Sequence, residues 1–291
     1  MGSLLLFACR APVEDQIPAD AEAALASCDV SEERAAVATA SAEFEVPVCL
    51  HAVWPSEGAA ERRFDDELAE GTENRHIDRV NRLLRGAPNG EDDERTLDTG
   101  IQLVLASLEV HADKELVELG DVADHQVALE TLGATWNRSG CVNVYVLFND
   151  DAVWDGAFAS YPGRPELGGI VTVNQPDERR LAHEWGHVLG LRHTHEEGYG
   201  AEWEGDCDVT GDLLCDTPAD PGPERCRQWN DSDAEVSWVE CPERFASIED
   251  EVPLDNLMSY WEPPWTSQGF SSEQIERMHC TWRQGQELIV P

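Results

Sequence analysis

The 291-residue chain carries 20 basic against 59 acidic residues, a formal charge of −39, and repulsion from phosphate excludes an extended electrostatic interface with nucleic acid or an anionic membrane. Its length and 41% hydrophobic content suffice for one sizeable core, and most domains of this size form one folded unit or two modest ones. With Lys114 as the single lysine, the acidic excess reads as a solvated surface that gathers cations and basic peptides rather than as a docking face.

The chain opens Met1 to Arg10 as MGSLLLFACR, which resembles the tail of a bacterial lipoprotein signal with an acylated cysteine at Cys9. No Lys or Arg precedes the apolar run, which leaves a plain cleaved signal or a buried terminus as the alternatives. No stretch reaches the roughly 18 apolar residues of a membrane-spanning helix, so lipid on Cys9 would be the membrane anchor. Nine cysteines without a CxxC pair point to disulfides and hence to export, either secreted or lipid-anchored at a bacterial cell envelope. Residues 10–43, rich in Ala, Glu and Asp, read as a leader or short prosegment behind the signal segment 1–9, and the folded domain is expected over 44–291.

Phe44, Val46, Val48, Leu50 and Ala52 alternate as in a strand, with Pro47 marking an edge or a strand start. Ile77, Val80, Leu83 and Leu84 recur at helical spacing, Ile101, Leu103 and Leu105 alternate again, Leu129, Leu132 and Trp136 mark a second helix, and Val142, Val144 and Val146 a third strand. A short strand follows at Ile170 to Val173. This order predicts a mainly parallel sheet with crossover helices. Beyond residue 193 the pattern dissolves into Asp, Gly, Pro and Cys until a last helix, whose start is signalled by a capping box at Ser271 and Gln274 and a staple of Phe270 with Ile275.

The chemistry is concentrated in Leu181 to His193, LAHEWGHVLGLRH. On a helix His183 and His187 project from one face, so both imidazoles can reach one metal, and Glu184 lies beside them to take a proton from water. Were the helix to continue, His193 would point away. Gly190 can adopt positive φ, end the helix and swing His193 back as third ligand. Three nitrogens leave a fourth position open, the arrangement of a catalytic zinc. The bland reading, ordinary helical histidines, must meet five fixed positions by accident, a chance on the order of one in ten thousand.

HEWGHVLGLRHTH, CDTPAD at Cys215 to Asp220, NLMSY at Asn256 to Tyr260 and FSSEQIERM at Phe270 to Met278 together resemble the pappalysin family of metzincin metallopeptidases. The resemblance implies an α+β metzincin (zincin-like) fold. A twisted, mostly parallel sheet with helices would form an upper subdomain at 44–193, whose edge strand at Ile170 to Val173 pairs with extended substrate. An irregular lower subdomain ending in a helix would follow at 194–291. It implies a monomeric zinc endopeptidase acting on extracellular proteins or peptides, basic ones favoured by the acidic field. Its site would contain His183, His187 and His193 as ligands, Glu184 as general base, Met258 in the tight turn beneath the metal, and Tyr260 steadying the tetrahedral intermediate. It also implies calcium after the zinc helix, where Asp206, Asp208, Asp212, Asp216, Asp220 and Thr217 offer hard oxygen donors. Two bridges are expected among Cys207, Cys215, Cys226, Cys241 and Cys280. Cys28 could occupy the open zinc position of a latent form or serve as a disulfide partner. His195 stands where relatives carry an aromatic, which makes that wall of the cleft polar. The competing classes are a surface-anchored zinc- or calcium-binding lipoprotein without proteolytic activity, which has no need of Glu184, and a calcium-dependent adhesion module, which has no need of three histidines.

Overall fold

A computed structural model describes Cys28, residues 44–58, 72–87, 96–121, 125–149, 156–164, 169–174, 178–195, Cys207, and residues 211–218, 220–222, 226–231, 236–242, 253–261 and 269–290. Cys9, the signal segment 1–9, and the leader 10–43 apart from Cys28 lie outside them, as do Asp206 and Asp208.

Every strand foreseen in the sequence is present. β1 (Phe44–Trp54) is followed by α1 (Thr72–Leu84), β2 (Ile101–Ala112), a single turn α2 (Lys114–Val117), α3 (His125–Trp136) and β3 (Val142–Leu147). Then come β4 (Ala157–Ala159), β5 (Ile170–Val173), α4 (Glu178–Val188), the ribbon strands β6 (Arg227–Asp231) and β7 (Val236–Glu240), and α5 (Ser272–Ile289). The main sheet has the order β2-β1-β3-β5-β4, parallel except for β4, which runs antiparallel to β5. This corrects one expectation: Ile170–Val173 is an interior strand, and the edge on the α4 side is Ala157–Ala159. Pro47 falls before the first β1–β3 pair, Val48 with Val142, so its missing N–H lies at the start of that ladder.

Strands buried on both faces need cover on both faces, and β3 is buried at all six positions. One face carries Val46, Val48, Leu50 and Val144 against Val80, Leu83 and Leu84 of α1, Leu181, Trp185 and Val188 of α4, and Met278 and Trp282 of α5. The other face packs Val53, Tyr145, Leu147 and Val171 against Ala128, Leu129 and Leu132 of α3. Each fully buried aliphatic or aromatic side chain contributes about 1.5–3 kcal/mol. Edge strand β2 is partly covered by α1: the Asn81 amide donates to the Leu103 carbonyl at 2.9 Å and accepts from the Leu103 N–H at 2.8 Å. α5 begins with the expected capping box, Gln274 N–H donating to Ser271 Oγ and Ser271 N–H to Gln274 Oε1.

Four disulfides use eight of the nine cysteines. Cys207–Cys215 and Cys226–Cys241 are the two local bridges expected past the zinc helix, and the second closes the β6–β7 ribbon just outside both its strands. Cys49–Cys141 ties β1 to the entry of β3. Cys28 is bridged to Cys280 on α5, which is the disulfide-partner alternative of the two, and a thiol consumed in a disulfide cannot bind zinc as a thiolate.

Candidate metal centre and catalytic cleft

α4 is buried over its last eight residues, from Leu181 to Val188. Its end is a Schellman motif: Leu191 N–H donates to the Gly186 carbonyl and Gly190 N–H to the His187 carbonyl, both at 2.9 Å, with Gly190 at φ +88°. A side chain at 190 would be strained there, so the glycine in the motif is what turns the chain back and delivers His193 to the helix face.

Nε2 of His187 lies 3.0 Å from Nε2 of both His183 and His193, which are 3.1 Å apart. The tautomers of two rings follow from their other nitrogens. His183 Nδ1 lies 2.6 Å from the Leu257 carbonyl and His187 Nδ1 2.9 Å from the Leu191 carbonyl; a carbonyl oxygen only accepts, so both Nδ1 atoms carry the proton. Both Nε2 lone pairs therefore face inward across 3.0 Å, which is repulsive without a cation between them. The spacing is close to the roughly 3.3 Å expected between two nitrogens that share a tetrahedral zinc at about 2.0–2.1 Å. Burial holds His183 down to about 4 despite its carbonyl bond, and keeps His187 and His193 well below the ordinary histidine value. All three are thus neutral at physiological pH, the form in which imidazole can bind a metal. Burial lifts the neighbouring Glu184 to about 8, against the pull of Arg180.

Beneath the triad runs the turn Asn256–Tyr260. Met258 is 0% exposed, its N–H donates to Asn256 Oδ1 at 2.8 Å, and the Asn256 amide is held by Gln274 of α5 at 2.9 Å. A Cβ on Gly186 would run into the Met258 sulfur, so the third residue after His183 must be glycine for helix and turn to approach this closely. The turn also supplies the Leu257 carbonyl that fixes His183. Tyr260, half-buried, places its ring 4.6 Å from His193 and 5.8 Å from His183. His195 stacks on His193 at 5.0 Å and lies 4.6 Å from Tyr260, while Tyr161 meets His187 edge-on at 5.1 Å. Gly186 and Tyr161 were not singled out from sequence. Gly186 had a signal in the small residue inside the histidine spacing; Tyr161 had none.

Among the described residues, the oxygen donors that follow α4 make hydrogen bonds within the protein. Asp212 accepts from Gln274 Nε2 at 3.2 Å and faces the Thr217 hydroxyl at 2.7 Å. Asp216 accepts from Ser271 Oγ and from Glu273 N–H at the start of α5. Asp220, 1% exposed, receives Thr194 Oγ1, Trp261 Nε1 and Gly222 N–H, and so ties the residue after the third histidine to the chain beyond Tyr260.

A family model described as pregnancy-associated plasma protein-A, a peptidase family, matches residues 122–282. Two curated proteins named extracellular metalloprotease, from Arthroderma benhamiae and Trichophyton verrucosum, are each 29% identical over 114 residues. That alignment covers 38% of this chain and 32% of theirs, so the match spans about a third of the length of those relatives. A solved structure of a mutant of Tannerella forsythia promirolysin superposes with a TM-score of 0.54 at 17% identity, covering 94% of this chain and 92% of that one; at that identity the likeness is one of fold.

Proposed function

Because this chain belongs to the pregnancy-associated plasma protein-A family of peptidases, we propose that it is a zinc-dependent endopeptidase of extracellular proteins or peptides, with His183, His187 and His193 holding the ion. One observation supports it above all: three buried Nε2 atoms converge at 3.0–3.1 Å, two of them with their protons committed outward. A zinc ion held there supplies a Lewis acid that polarises the scissile carbonyl and acidifies water towards pH 7.

The remaining work falls to the protein. Glu184, next to His183 on the same helix, takes the proton of the attacking water and returns it to the leaving amine, and its burial raises its affinity for that proton. The Tyr260 hydroxyl donates to the oxyanion that forms at the carbonyl. Met258 and Gly186 fit turn to helix and so fix the height of His183 and His187. Ala157–Ala159, the sheet edge next to α4, is where an extended substrate would add as a further strand. For calcium the oxygens available are those of Asp212, Asp216 and Thr217, which hydrogen-bond within the protein and keep further lone pairs, together with Asp206 and Asp208. Four disulfides support export, and no helix among the described residues is long and apolar enough to cross a membrane. The charge of −39 favours basic substrates.

The deciding experiment is digestion of a diverse peptide pool by wild type and Glu184→Ala, with zinc measured in both and a chelator control. Chelator-sensitive cuts by wild type, reduced by a factor of about 10² to 10⁴ in a variant that keeps its zinc, are the expected result. Zinc-loaded wild type that cuts nothing would overturn the proposal.

A further inference from the structure

We propose that His51, Glu109 and His111 form a second site for a divalent transition-metal cation of the zinc type, on the sheet face opposite the catalytic helix. The ligand atoms of the three residues lie within 4.8 Å of one another. The strand registers explain why: His51 of β1 pairs with Glu109 of β2 and with Tyr145 of β3, and His111 and Asn143, each two residues along, share that face.

Asn143 determines which nitrogen of His51 is available. Its Nδ2 faces the Arg138 carbonyl at 2.9 Å and its Oδ1 accepts from the Arg138 N–H at 2.8 Å, which fixes the amide orientation. The same Oδ1 lies 2.9 Å from His51 Nε2, so Nε2 donates and the Nδ1 lone pair is directed at His111 Nε2, 3.2 Å away. A metal-binding imidazole commonly has this arrangement, one nitrogen tethered to a carbonyl and the other presented. The spacing matches that of the catalytic triad. A proton on His111 Nε2 would also satisfy that lone pair; the Glu109 carboxylate, 3.9 Å from the same nitrogen, is what adds a third donor to the pair. Arg138 grips Glu109 through Nε and Nη2, at 2.5 and 2.8 Å; each carboxylate oxygen keeps a second lone pair, so Arg138 orients the ligand without consuming it.

The surroundings suit an ion. His51 is 0% exposed, while the side chains of His111 and Glu109 are 13% and 25% exposed, which gives a path from solvent. Trp136 stacks on His111 at 4.0 Å and Tyr145 on His51 at 4.7 Å, restricting both rings. Burial lowers both histidines below their ordinary value, so they are neutral and ready to coordinate. Two imidazoles with one carboxylate select zinc and its neighbours in the first transition row over calcium or magnesium. An ion there would clamp edge strand β2 to β1.

The test counts zinc per chain, after chelation, reloading and gel filtration, in wild type, His187→Ala, and His187→Ala combined with His111→Gln or with Glu109→Gln. We expect two ions in wild type and one in His187→Ala. His111→Gln should remove that ion or weaken it by more than the tenfold to hundredfold that loss of an outer partner costs. Zinc should raise the melting temperature of His187→Ala and leave that of the double variants unchanged. Two variants of different burial guard against simple misfolding, since Glu109 is the more exposed. One ion in wild type and none in His187→Ala would overturn the second site and leave the catalytic one standing. One ion in both would support the second site at the expense of the first. Retention of the His187→Ala ion in both double variants would overturn the assignment of residues.

Discussion

Tyr260 and Gly186 act on the site in ways that separate cleanly. The Tyr260 ring lies against two of the three histidine rings, and phenylalanine keeps that ring, so removing the hydroxyl should spare zinc and lose an oxyanion donor. Tyr260→Phe is expected to lower kcat by about a hundredfold or more with little change in KM or zinc content; an unchanged kcat would remove Tyr260 from the mechanism. Gly186 is a matter of space. Gly186→Ala puts a methyl group where the Met258 sulfur sits, an overpacking that costs about 1–3 kcal/mol. Chemical denaturation should show that loss, together with weaker zinc binding, because helix and turn must separate. Stability and affinity equal to wild type would show that the turn yields freely.

At the level of elements, α5 is anchored at its first turn and again near its middle. Its first turn is held by Asp216 and by the Ser271–Gln274 box, and Gln274 passes the support on to Asn256 under the zinc. Farther along, His279 lies 2.5 Å from the Thr99 carbonyl, and its ring meets Phe44 edge-on at 4.9 Å. Burial lowers its pKa, against the pull of the Thr99 carbonyl and with a smaller push from Arg283. The unfolded chain then binds a proton below about pH 6.5 that the native state refuses, so stability is present above that pH and is lost as pH falls towards the lowered value. His279→Gln, which keeps a donor for Thr99, should flatten part of the acid-side loss measured by denaturation midpoints between pH 7.5 and 5. An identical slope in the variant would assign that loss wholly to the remaining histidines.

For the whole molecule, the longest covalent closure is Cys28–Cys280, which joins a point 252 residues upstream to α5. Closing so long a loop restricts the unfolded chain, and removal of a native bridge from a small exported domain costs about 2–5 kcal/mol. Cys28→Ser with Cys280→Ser should therefore melt at lower temperature with its peptidase activity intact when cold. Activation by that substitution would instead revive the latency role that the bridge contradicts. The acidic surface acts at the same scale: its field attracts cations and weakens with salt.

The sequence by itself determined what depends on short spacings. The helical period placed His183 and His187 on one face, Gly190 ended the helix, and the alternation of β1, β2 and β3 announced a parallel sheet, because each follows from backbone geometry within a few residues. The short strand β4 was missed since three residues carry no period, and β6 and β7 lay in a polar stretch with none. Only the tertiary structure decided the rest. It made Ala157–Ala159 rather than Ile170–Val173 the sheet edge, paired Cys28 with Cys280, turned Asp212 and Asp216 into partners of α5, and gathered His51, Glu109 and His111 from two strands. Those outcomes join residues up to 252 positions apart in the chain, and no local spacing records which distant groups packing will bring together.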